Sequence, residues 1–196
     1  QEGDILAVGD VTISARTAMQ KGIVKSGGNV SLDVDHKVIN DGVIQAGKVL
    51  NIHTKELNNN NKLESQNQLI LSASSLYQLG EIASGGDIQM DISGYAEITN
   101  NITSNSNISL SVGSLNNQAK ISSLGNTNVN VENSFTNSDD ALISGSNTTI
   151  EALNIDNFGQ LQALNNLGLS IENLINSGAL VALNDLVVLA DNDVTN

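Results

Sequence analysis

Apolar and polar residues alternate along short stretches of this chain, and the stretches recur. Val11-Thr-Ile-Ser-Ala15, Val30-Ser-Leu-Asp-Val34, Ile88-Gln-Met-Asp-Ile92 and Ile108-Ser-Leu-Ser-Val112 each have period two, the spacing of a strand with one buried face. No window sustains the i, i+3, i+4, i+7 spacing of an amphipathic helix. The recurrence is clearest from Leu153 to Leu189, where Asn157-Phe-Gly-Gln-Leu-Gln-Ala163 returns 19 positions later as Asn176-Ser-Gly-Ala-Leu-Val-Ala182. A fixed period of this size indicates a solenoid.

Three columns carry the unit to the N-terminus. One runs Val11, Val30, Leu50, Leu69, Ile88, Ile108, Thr127, Thr148, Leu167, Leu186, in steps of 19 to 21 residues. A second runs Ala18, Val38, Leu57, Leu76, Ala96, Leu115, Phe135, Ile155, Leu174. The third ends each copy in Ala or Ser: Val24-Lys-Ser26, Ile44-Gln-Ala46, Leu63-Glu-Ser65, Ile82-Ala-Ser84, Ile102-Thr-Ser104, Ile121-Ser-Ser123, Leu142-Ile-Ser144. Leucine-rich repeats have similar length but one strand per unit in a fixed Leu frame, whereas each unit here holds two or three short strands. The pattern predicts an all-β parallel β-helix (a solenoid) of about ten coils of 19–21 residues, a single domain over residues 1–196. At about 4.8 Å per coil the rod is about 45 Å long.

Gly22, Gly42, Gly80, Gly159 and Gly178, with Asn61 and Asn100 in other copies, stand two residues before the third column. Gly and Asn enter the left-handed region at least cost, so this column predicts a bend repeated in every coil. Asn40, Asn59, Asn117, Asn157 and Asn176 form a neighbouring column suited to an amide ladder. The Ala/Ser column predicts a narrow vertex of the core. Both columns read as structural, with binding the alternative.

Composition sharpens the picture. Only 2% of the 196 residues are aromatic, and Trp, Pro and Cys are absent; a globular enzyme normally brings more aromatics to its core and site. Absence of Cys removes disulfides, Cys-based zinc sites and thiol catalysis. No transmembrane run, signal peptide or lipidation motif is seen, so membrane insertion is not expected. Gln1 is not a start residue, so the chain reads as a fragment. The net charge is −13. Up to Lys62, seven Lys/Arg accompany seven Asp/Glu; beyond it Lys120 alone faces fourteen acids. That half should repel nucleic acid and anionic surfaces. Its acidity serves solubility or a basic partner.

The repeat slips in a few places: one residue is added between Phe135 and Leu142, Asn58–Asn61 is a polar corner, and the coil from Tyr95 to Asn107 lacks its glycine. Tyr95, Asp139 and Asp140 are therefore the candidate partner-contact residues. Other chemistry finds little support. Gly27–Asp33 and Gly85–Asp91 are similar to calcium-binding nonapeptides but lack the third Gly and are not in tandem. His36 and His53 sit in different coils without a metal-ligand spacing. Asp33 and Asp35 share a face, and Asp91 is equivalent in a later coil, as in β-helical polysaccharide enzymes; yet only Arg16 supplies a guanidinium, and no aromatic platform for a sugar is evident. The Asn-x-Ser/Thr matches carry little weight in so Asn-rich a chain. Neither catalysis nor a cofactor or metal is expected.

Leu174-Ile-Asn-Ser-Gly-Ala-Leu-Val-Ala182 and Val38-Ile-Asn-Asp-Gly-Val-Ile-Gln-Ala46 resemble the repeats of filamentous haemagglutinin-type exoproteins. The resemblance spans all ten coils, with degenerate copies between Tyr95 and Asp140. It implies a right-handed β-helical segment of a very large protein, secreted through an outer-membrane two-partner transporter onto a Gram-negative cell surface. Family members act as adhesins, haemolysins or contact-dependent inhibition proteins carrying a C-terminal toxin. A non-catalytic segment mediating contact with other cells is expected, with a cell-surface receptor or glycan as partner. The alternatives are that this segment is itself the receptor-binding region, or a polysaccharide-processing enzyme. Open strand edges at Gly3–Ala15 and Leu186–Thr195 are expected to be capped, stacked or frayed.

Overall fold

The computed structural model describes residues 2–196, and these form strands, turns and bends without a helix. Short strands such as Ile23–Ser26, Val43–Ala46 and Lys62–Ser65 make one parallel sheet of ten. Long strands such as Val30–Asn40, Val49–Asn59 and Gln68–Gln78 make a second sheet of eleven, completed by Val194–Thr195. Each strand pairs with its equivalent one repeat away, so the chain is a parallel β-solenoid of about ten coils. The first two apolar columns predicted from sequence lie partner to partner throughout, from Val11↔Val30 and Ala18↔Val38 to Thr148↔Leu167 and Ile155↔Leu174.

A single coil shows why. Val30, Leu32 and Val34 point inward from the first part of the long strand, Val38 and Asn40 from the second, and Ile44 and Ala46 from the short strand; all are buried. Period-two alternation supplies this inward row on each wall. Between Val34 and Lys37 the register shifts, leaving Asp35 and His36 both exposed, so the long strand turns and the section closes on three walls. Burying one large aliphatic side chain contributes about 1.5–3 kcal/mol, and each interior coil contributes several.

The corner glycines serve a different purpose from the one the sequence suggested. Among the described residues no glycine or other residue has positive φ, so no left-handed bend exists. Instead, a Cβ on Gly42, Gly80 or Gly178 would lie 2.0, 1.7 or 2.0 Å from the carbonyl oxygen of Gly22, Asn61 or Gly159. Consecutive coils stack backbone on backbone at this corner, and the side chain is excluded by contact.

The amide column is a ladder, and it points one way. Asn40 Nδ2 donates to Asn59 Oδ1 (2.7 Å) and Asn59 Nδ2 to Gln78 Oε1 (3.0 Å). Ile98 interrupts the column; it resumes from Asn117 to Asn137 (2.9 Å), Asn157 (2.8 Å) and Asn176 (2.7 Å). Beside the break, Gln78 donates to Gly80 O (2.8 Å) and Asn117 Oδ1 accepts from Ala119 N (3.3 Å). The Ser column marks the narrow vertex: Ser26 and Ser104 donate to Gly9 O (2.6 Å) and Gly86 O (2.7 Å) and accept the amides of Gly28 and Ser106.

Ile143, not Leu142, is the buried residue opposite Ile121 and Leu161. Phe135 to Ile143 is 8 positions against 6 from Ile155 to Leu161, so the corner at Asp139 and Asp140 gains two residues, not one. The next corner is one shorter: Ile143 to Thr148 is 5 positions, Leu161 to Leu167 is 6. Gly145 fits there because its Cβ would lie 2.8 Å from Thr127 N. Threonines replace aliphatics beside it, with Thr127 and Thr148 hydroxyls donating to Ser144 O (2.8 Å) and Gln162 O (2.6 Å).

Candidate functional site

Side chains on the outer surface of the first part of the long strands line up by the same register as the core. Asp33, His53, Ser72 and Asp91 are consecutive partners in one row. Beside the row the wall bends, and the bend makes an open groove of about 630 Å³ that also takes in Asp35, His36, Lys55, Ser74 and Ser93. Sequence placed Asp33, Asp35 and Asp91 on one face; the structure adds both histidines, which it brings to the same groove. Their side chains make no hydrogen bond or ion pair among the described residues, unlike the amides and serines of the interior.

The two tyrosines lie past the bend on the second part of the long strands, outside the groove's lining but within two or three positions of Ser93 and Ser74. Tyr95 lies opposite Ser75 and Tyr77 opposite Glu97, so they are diagonal neighbours on adjacent coils. Their ring centroids are 6.4 Å apart at 61°, an edge-to-face pair, and both rings are exposed, by 36% for Tyr77 and 39% for Tyr95. An exposed edge-to-face tyrosine pair, which the sequence does not reveal, is therefore present. Tyr77 was missed because it shares no column with Tyr95; only the diagonal across the sheet unites them.

Asp139 and Asp140 lie elsewhere. They occupy the lengthened corner after the long strand Thr127–Asn137, two coils beyond Tyr95, and both are exposed. The structure does not bring them to the tyrosines. A second groove, of about 320 Å³, carries Glu132, Glu151, Glu172 and Asp191 along the acidic half.

No group of three or more His, Cys, Asp or Glu able to hold a metal ion exists among the described residues. The glycine-rich Gly85–Asp91 segment uses its first acid for structure: Asp87 Oδ1 accepts from the backbone and side-chain amides of Asn107, both at 3.0 Å. The Ser106 hydroxyl first, and then these two amides, hold the Asp87 carboxyl below its ordinary value. Asp10 Oδ1 accepts Asn29 N (2.7 Å) and Asn107 Oδ1 accepts Asn126 N (2.9 Å) in the same way. This outer ladder, one residue before the Val11 column, was also missed; its signal was the Asp or Asn preceding most members of that column.

The carboxylates can also be judged by separation. Asp33 and Asp91 are three coils apart, about 14 Å, beyond the roughly 5–9.5 Å that paired glycosidase carboxylates span. Asp33 and Asp35 are closer, but both are exposed on the open groove. The arrangement offers hydrogen-bonding groups along an open groove, with an exposed tyrosine pair beyond its edge.

Comparison with protein-family models, with curated proteins and with solved structures returns no match.

Proposed function

We propose that this chain is a non-catalytic segment of a large secreted filament on a Gram-negative bacterial surface, where it acts as a rigid shaft holding a contact region away from the cell. The observation that carries the reading is the unbroken coil-to-coil register, in which the largest insertion is the two residues at Asp139 and Asp140. Such a body has no lid or second domain among its described residues; what each coil adds is about 4.8 Å of length. The resemblance to filamentous haemagglutinin-type repeats supports export by an outer-membrane two-partner transporter, and a cell-surface receptor or glycan as the partner met by the filament.

Removing residues 108–147 from the filament deletes two coils and joins Asn107 to Thr148, both of which precede or begin the long-strand column. The expected result is retained cell-to-cell adhesion with a filament shorter by about 10 Å per copy, measured by electron microscopy on multiply deleted arrays. Loss of adhesion with reach preserved would overturn the shaft reading. It would favour a receptor contact at Asp139 and Asp140.

A further inference from the structure

We infer that Tyr77 and Tyr95, with the adjoining groove at Asp91, Ser93 and Ser74, form a subsite for a neutral glycan. The inference rests on the reading of this chain as part of a cell-contact filament and names where, and for what chemistry, the contact is made.

Three observations carry it. The chain has two tyrosines and no Trp, and both tyrosines are exposed and in contact, 6.4 Å apart. An exposed aromatic pair presents flat apolar faces to which the C–H side of a pyranose ring is complementary. The groove residues Ser74 and Ser93 lie only three and two positions before Tyr77 and Tyr95, so platform and polar groups share two adjacent coils. Finally, the polar groups are mixed in kind: apart from the Thr54 hydroxyl, which donates to Glu56 O, the carboxylates, serine hydroxyls, imidazoles and Lys55 ammonium make no hydrogen bond or ion pair among the described residues.

That mixture selects the ligand class. Each sugar hydroxyl both donates and accepts, so a row of acceptors and donors about 4.8 Å apart suits a chain of rings of about that length. A sulfated or uronic polymer would meet Asp33, Asp35 and Asp91 and a net charge of −13. A basic peptide could use the carboxylates and the aromatic faces, but it would be opposed by Lys55 and would leave the serines unused.

The tyrosines provide their own assay, because intrinsic emission at their wavelength comes from this patch alone. Full-length chain is titrated with cellohexaose, xylohexaose, mannohexaose and chitohexaose, and with hexalysine and a heparin hexasaccharide as the other arms. The expected result is a saturable emission change with at least one neutral sugar. Tyr95→Ala and Asp91→Asn should weaken binding about tenfold or more, and Tyr95→Phe, which keeps the ring face, about twofold or less; titration calorimetry reads the variants, and circular dichroism checks that the exposed substitutions leave the fold intact. Silence from every neutral sugar, a response confined to hexalysine or heparin, or wild-type affinity in Tyr95→Ala would each overturn the assignment. These outcomes leave the shaft reading standing, since the 108–147 deletion tests that separately and retains both tyrosines.

Discussion

Replacing Asn157 by Leu tests whether the interior amides hold the coils together or merely fill space. Asn157 is fully buried; it accepts from Asn137 Nδ2 at 2.8 Å and donates to Asn176 Oδ1 at 2.7 Å. Leucine keeps the branched skeleton of asparagine, so no cavity opens, but its bulkier methyls add some crowding to the loss of hydrogen bonding. Asn137 Nδ2 would keep only a 3.4 Å contact to Gln160 O, and Asn176 Oδ1 would lose its donor. Two stranded polar groups at about 1–3 kcal/mol each make about 2–6 kcal/mol; the leucine's own burial offsets part of this, leaving about 2–4 kcal/mol. Ile98→Asn is the converse: it forfeits about 1.5–3 kcal/mol of apolar burial and rejoins the two halves of the ladder with two bonds of about 1 kcal/mol each. Guanidinium unfolding followed by circular dichroism should therefore show a large loss for Asn157→Leu and a small one for Ile98→Asn. A loss under about 1 kcal/mol for Asn157→Leu, or the reverse ranking, would refute the view that the column is there for its hydrogen bonds.

Other perturbations separate the remaining causes. Gly80→Ala should cost more than about 3 kcal/mol, since its Cβ would strike the Asn61 carbonyl, whereas Gly168→Ala, with nothing within 4 Å, should gain about 0.5–1 kcal/mol; thermal melts of the two variants check this. Deleting Asp139 and Asp140 together restores the six-position corner and should leave the circular-dichroism spectrum unchanged, while deleting one alone should disturb it. The Asp87 carboxyl titrates below its ordinary value when folded, so its contribution is present above the unfolded pKa and disappears as pH falls through the folded one. Asp87→Asn should remove that component, a small one because the group stands in solvent, as read from urea midpoints at neutral and strongly acid pH.

How far the sequence could be read follows from what a parallel stack repeats. Inward residues recur at one position in every coil, aliphatic in all but the Thr127 and Thr148 copies, so the columns from Val11 to Leu186 and from Ala18 to Leu174 were legible residue by residue. The corner at Leu142 and Ile143 was not, because two adjacent aliphatics both fit the column and the residue closing the strand is Gly145 instead of Ala or Ser. The glycine column was visible but its cause was not: both a left-handed bend and close backbone approach select Gly, and only φ distinguishes them. Tyr77 with Tyr95, and His53 between Asp33 and Ser72, are assembled by neighbouring coils, so their proximity emerges only once the windings are laid in register.

Because the backbone bonds between coils run along the axis, a pull applied at the two ends loads them in series, not side by side. The outermost winding then carries the whole force and peels before its neighbour is disturbed. Each one released turns about 4.8 Å of rod into 19–21 residues of slack, roughly 60–75 Å when taut. A tether made this way would lengthen in steps under tension and shed load before breaking, and rewinding would restore it one turn at a time.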